Sequence, residues 1–113
     1  MVQLCLRLKA PAGHRRDIVQ ALRILRLPTQ LNGGCACTHL YCEVDNQDDL
    51  CYIEDWPRCE DLTRDVRSDR FSRLLALMET AAEPPVLEFR FVSETRGLDL
   101  VEQVRVGTIG QVS

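Results

Sequence analysis

An α+β fold of the ferredoxin-like βαββαβ plan follows from three observations. Four short stretches alternate apolar and polar residues with the period of two that marks a strand. Two longer stretches place apolar residues at i, i+4 and i+7, the spacing of a half-buried helix. The order in which these stretches occur is strand, helix, strand, strand, helix, strand. The sheet is expected to be antiparallel, with both helices on one face.

Val2 to Lys9 is the first strand, with Val2, Leu4, Leu6 and Leu8 on one face and Gln3, Cys5, Arg7 and Lys9 on the other. Pro11-Ala12-Gly13 breaks it. A helix follows from about His14 to Leu27, its inner stripe formed by Ile18, Leu22 and Leu25 with Val19 at its side. Pro28 is expected to interrupt this helix, and Asn32-Gly33-Gly34 to end the excursion in left-handed backbone. Cys35 to Val44 and Leu50 to Trp56 then alternate around the polar cluster Asp45-Asn46-Gln47-Asp48, which reads as a β-hairpin. Trp56-Pro57 opens the second helix, with Pro57 near its first position, Glu60 and Asp61 in the first turn, and Leu62 and Val66 facing inward. Ser68 caps a further helical stretch carrying Phe71, Leu74, Leu75 and Met78. Pro84-Pro85 stops it, and Val86 to Val92 is the fourth strand, with Leu87, Phe89 and Phe91 on one side. Leu98, Val101 and Val104 return to helical spacing, and residues 107–113 read as a frayed tail behind a domain of residues 1–106.

The length of 113 residues suits one domain with one core. A net charge of −3 argues against a nucleic-acid surface, which needs clustered cations. No apolar run approaches the roughly 18 residues of a membrane-spanning helix. Met1 to Leu4 lacks a basic leader before an apolar block, so a cytoplasmic location is expected. Six cysteines in such a chain read mainly as reduced packing thiols. Cys35 and Cys37 lie about 7 Å apart on one strand face, too far for an unstrained bridge. Cys-x-Cys without a second close Cys/His pair is not the usual zinc spacing, so no metal site is expected.

Chemically useful side chains gather in the hairpin. With the turn centred on Asn46-Gln47, Tyr41 lies across from Tyr52, His39 from Glu54, Cys37 from Trp56 and Cys42 from Cys51. One face then collects Cys37, His39, Tyr41, Tyr52 and Trp56. Cys42, Val44, Cys51 and Ile53 make the opposite face apolar, and such a face calls for a partner. A homodimer pairing two sheets would bury it, with the C-terminal segment reaching across.

Over Val2 to about Arg105 the chain resembles the antibiotic-biosynthesis monooxygenase family of dimeric α/β-barrel proteins. The marks are Gly34-Cys35, Leu40-Tyr41, Glu54-Asp55-Trp56, then Leu62, Ser68 and Phe71, and Ser93-Glu94-Thr95-Arg96-Gly97 closing strand four. The resemblance implies a homodimer, a ligand cavity between helices and sheet, and oxygenation of quinols or polycyclic phenols without metal or flavin. Relatives often carry histidine nine and fourteen residues beyond the tryptophan, where this chain has Asp65 and Arg70. The haem-degrading branch needs an asparagine on strand one and a histidine on the second helix, and both are missing.

Two functional classes stay open. One is a cofactor-independent monooxygenase using His39, Tyr41 or Asp65 to take a proton from a hydroxylated aromatic, with Cys37, Tyr52, Trp56 and Arg70 lining the site. The other is a non-catalytic dimeric module that binds a small ligand in the same cavity.

Overall fold

A computed structural model describes residues 1–31 and 33–107. The elements run β1 (Val2–Lys9), α1 (Arg15–Leu31), β2 (Cys37–Cys42), β3 (Asp49–Trp56), α2 (Cys59–Val66), α3 (Asp69–Met78), β4 (Val86–Phe91) and α4 (Leu98–Arg105). The strands form one sheet in the order β2-β3-β1-β4, and every neighbouring pair is antiparallel. This is the predicted ferredoxin-like plan, with the second helix split in two and α4 added. Asn32 and residues 108–113, all but the first residue of the expected tail 107–113, lie outside the described residues.

The alternation in β1 decides which side is the core. Leu4 and Leu6 are fully buried, flanked by Val2 and Leu8, and they pack against Ile18, Leu22 and Leu25 of α1 and Phe71 and Leu74 of α3. A smaller cluster of Val2, Cys35, Trp56 and Leu62 seals one end. Cys35, expected inside strand two, instead precedes β2 and is buried in this cluster. Val66 and Leu75, expected to face inward, are exposed. Their positions are where the α2 and α3 stripes turn away from the sheet.

Three helix boundaries carry physical content. Ser68 caps α3 as predicted, its hydroxyl accepting from the Phe71 amide at 3.3 Å, an arrangement worth about 1 kcal/mol. Pro57 falls outside α2, whose N-cap is Arg58. The predicted break at Pro28 does not occur, and α1 continues to Leu31. The carbonyl that Pro28 deprives of a partner is that of Ile24, an exposed residue, so water can satisfy it. The backbone then turns at Gly34, whose φ is +85°. A Cβ there would sit 2.5 Å from Asp61 Oδ2, so both the conformation and the space require glycine. The left-handed backbone expected across this stretch is found at Gly34 and not at Gly33.

The hairpin register differs by one residue from the expectation. Cys37 pairs with Asp55, His39 with Ile53, Tyr41 with Cys51 and Cys42 with Leu50. Asn46 sets this. Its carbonyl accepts the Asp49 amide at 3.0 Å and its side chain accepts the Asp48 amide at 3.1 Å, so the loop is centred on Asn46 itself. A one-residue change of register moves every side chain of one strand to the other face relative to its partner.

The chain is more spread out than its length requires. Its radius of gyration is 17.0 Å, against about 13 Å for a compact chain of this size. α4 buries none of its residues, and Leu98, Val101 and Val104 stand exposed along it. Phe89 and Phe91 of β4 share a face with the core residues Val2 and Leu4, yet they are exposed because the helices do not reach this edge.

Candidate functional site

The register separates the residues that the sequence placed together. Cross-strand partners in a sheet point to the same side. Tyr52, Glu54 and Trp56 therefore lie under the helices, opposite Leu6, Leu4 and Val2. Cys37, His39 and Tyr41 lie on the open face with Asp55, Ile53 and Cys51. No single face holds both the imidazole and the indole.

Under the helices, Glu54 is fully buried and every group around it is engaged. It accepts from the Tyr52 hydroxyl at 2.6 Å, from Trp56 Nε1 at 3.0 Å and from Arg70 Nη1 at 2.8 Å. Arg70 also pairs with Asp65 and donates to the Leu25 carbonyl at 3.3 Å. Burial pushes the Tyr52 phenol well above its ordinary range, and the neighbouring Glu54 adds to this. Burial alone would lower Arg70, but hydrogen bonds and charge from Asp65 and Glu54 outweigh it and fix the guanidinium as a cation. Trp56 and Tyr52 offer no ring face to a substrate, and Asp65 and Arg70 are occupied with each other. The expected ligand space beside Trp56 is filled by protein. In the sequence Glu54 stands across from His39 and among the marks of the resemblance, with no role in the site. The signal for its actual role was a lone carboxylate two residues from both a tyrosine and a tryptophan on an inward strand face.

On the open face, three donor atoms converge. The Cys37 thiol donates to Asp55 Oδ2 at 3.0 Å and lies 3.4 Å from His39 Nε2, and that nitrogen is 3.7 Å from the same Asp55 oxygen. The other Asp55 oxygen accepts from Gln3 Nε2 at 2.9 Å, and Gln3 Oε1 accepts from the Cys5 thiol at 3.7 Å. The His39 ring stacks on Tyr41, with centroids 5.9 Å apart and planes 13° from parallel. The hydrogen bond to Asp55, with some burial, holds the Cys37 thiol above its usual range, so it is neutral and a poor nucleophile. Burial raises Asp55, but hydrogen bonds from Cys37 and Gln3 and the His39 charge more than offset this and keep it low. His39, with 43 % of its side chain exposed, and Tyr41 are both reachable from outside. Asp55 was missed as a functional residue because the assumed register put it on the far side of the sheet.

All six cysteines are free. Cys42 faces Leu50, not Cys51, and is exposed, so the expected Cys42–Cys51 contact is absent. Burial pushes the Cys35 thiol up to about 12, and Glu54 adds to this, which makes it unreactive at neutral pH. A groove of about 470 Å³ lies at the far end of the sheet, lined by Arg7, Lys9, Glu43, Asp49 and Val86 among others. Its charges are mixed, and it holds none of the sequence-predicted residues.

No family model matches the chain, and no curated protein does. Solved structures do. An antibiotic biosynthesis monooxygenase is 16 % identical, with a TM-score of 0.69 over 83 % of this chain and 100 % of that one. A Deinococcus radiodurans protein grouped with the antibiotic biosynthesis monooxygenases is 16 % identical, with a TM-score of 0.74 over 86 % and 97 %. Rv0793 from Mycobacterium tuberculosis is 18 % identical, with a TM-score of 0.72 over 85 % and 98 %. At these identities the likeness is one of fold, and it agrees with the resemblance read from the sequence. No helix among the described residues is long and apolar enough to cross a membrane.

Proposed function

We propose that this chain binds a hydroxylated aromatic compound on the open face of its sheet and works as a homodimer paired through that face. The observation that carries the reading is the His39–Tyr41 ring stack beside the Asp55 carboxylate. It supplies an aromatic surface and a hydrogen-bonding edge that a flat phenol needs, on rigid strands and open to approach. On the helix side, Tyr52, Glu54, Trp56 and Arg70 are buried and bonded to one another. Equilibrium dialysis against a panel of quinols and polycyclic phenols tests this. Binding should weaken at least several-fold in Tyr41→Ala and stay unchanged in Cys59→Ser, an exposed position remote from the stack. Equal binding by wild type and Tyr41→Ala rejects the reading.

The dimer rests on the open face, where Tyr41 and Val86 are exposed, and on the extended shape of the single chain, including the uncovered apolar residues of α4. Sedimentation at micromolar concentration should give twice the mass of 12.9 kDa. The interface should bury about 800 Å² or more per subunit. A stable monomer overturns it.

A second reading is cofactor-independent oxygenation of the bound compound. It is favoured by the pairing of an accessible imidazole with a carboxylate, and by the names of the proteins that share the fold. His39 would take the phenolic proton and Asp55 would stabilise the resulting imidazolium. The electron-rich anion would then meet O₂ in the space between the paired sheets.

A further inference from the structure

We propose that Cys37, His39 and Asp55 form a binding site for a divalent transition metal, zinc being the best match. The three donor atoms, Cys37 Sγ, His39 Nε2 and Asp55 Oδ2, stand 3.4, 3.7 and 3.0 Å apart. The circle through those three atoms has a radius of about 2.0 Å, so a point just above their plane is within about 2.0–2.3 Å of each. Those are the bond lengths zinc makes to imidazole, carboxylate and thiolate. Around a tetrahedral ion of that size, neighbouring donors stand roughly 3.3–3.6 Å apart. The side chains need to move by only a few tenths of an ångström.

Donor chemistry selects the ion. Sulfur, nitrogen and one oxygen suit zinc, while magnesium and calcium take oxygen ligands. Thiolate and carboxylate together carry two negative charges, which a divalent cation neutralises beside neutral imidazole. On binding, the Sγ lone pair forms the metal bond and the thiol proton leaves to solvent, with no change of oxidation state. The hydrogen bond from Cys37 to Asp55 places that proton between two of the three ligands.

The support around the donors is that of a built site. Cys37 and Asp55 are direct partners across β2 and β3, and His39 is two residues along the same strand face. Gln3 holds the Asp55 oxygen that faces away from the cluster, which leaves Oδ2 free for the ion. β2 is an outer strand, so the cluster lies at the edge of the open face. This inference goes beyond aromatic binding and stands or falls without it.

Cobalt(II) titration of the purified, chelator-stripped chain, with no aromatic compound present, provides the test. One equivalent per chain should give the visible bands of tetrahedral cobalt and a thiolate charge-transfer band, and zinc should displace both. Cys37→Ser should remove the charge-transfer band and His39→Ala should abolish tight binding. Gln3→Ala should weaken binding about 10- to 100-fold, as loss of an outer partner does. Cys59→Ser, at an exposed position on α2, should titrate as wild type. Far-ultraviolet circular dichroism confirms that each variant is folded, and Asp55→Asn, nearly isosteric, gives an independent loss of affinity. A charge-transfer band that survives in Cys37→Ser or His39→Ala overturns the proposal. So does the absence of tetrahedral cobalt bands in the wild type.

Discussion

Replacing Arg70 by alanine should destabilise the fold by about 3–5 kcal/mol, the cost of stranding a buried charge whose partner has been removed. Glu54 has no exposure to water, and Arg70 supplies two of its four hydrogen bonds. Asp65 loses its cation in the same step. Urea unfolding should show the midpoint falling sharply with little change in slope. Arg64→Ala is the matched control. Its 3.4 Å contact with Asp61 is exposed, and such pairs are worth about 0–1 kcal/mol. Should Arg70→Ala cost no more than Arg64→Ala, the network does not hold the helices to the sheet. A double change of Glu54→Leu and Arg70→Met should not recover the loss, because the Tyr52 hydroxyl, Trp56 Nε1 and Asp65 would all be left without their partners. Recovery would show that these three groups find other partners and that the network does not hold the fold as a unit.

The same network explains which parts of the molecule could be read in advance. β1 and the stripes of α1 and α3 were legible because their period is a property of each segment alone. Leu4, Leu22 and Leu74 are buried where periodicity puts them. The hairpin was legible as a hairpin but not in register. Its alternation is equally satisfied by a turn centred on Asn46-Gln47 or on Asn46, and only the two hydrogen bonds accepted by Asn46 decide between them. That one residue moved Tyr52 and Trp56 from beside His39 to the far side of the sheet. It also brought Asp55 to Cys37. The continuation of α1 through Pro28 was hidden for another reason. The penalty of an interior proline depends on whether the deprived carbonyl is wet, which a sequence does not state.

Asp65 and Arg70, the positions where the resemblance read from the sequence implies histidine, take on a meaning in this arrangement. They form a buried ion pair that ties α2 and α3 to Glu54 on β3. The helix side is thereby closed by charge pairs and a tryptophan, and the open face is left with the reachable chemistry. Fold and function separate at this point. The sheet and helices are shared with monooxygenase structures, but the side chains inside them are arranged differently from what the shared plan implies.

His39→Ala is the variant that divides binding from oxygenation. Where a quinol or phenol in the panel consumes oxygen, turnover should fall by about 10²- to 10⁴-fold in His39→Ala, the usual loss when a general base is removed. Affinity should change far less, because Tyr41 retains its ring. Asp55→Asn should lower turnover in the same direction, since the imidazolium formed by proton transfer loses the carboxylate 3.7 Å away. Oxygen uptake and dialysis on the same samples separate the cases. Binding with no uptake leaves the chain a ligand-binding module. Uptake that persists in His39→Ala rejects His39 as the base. Zinc sharpens the comparison, because the Nε2 that would accept the proton is also the proposed metal ligand. Zinc should therefore suppress His39-dependent turnover, and a chelator should restore it. Turnover indifferent to zinc, in a protein that cobalt spectra show to bind the metal, would mean that the base lies elsewhere.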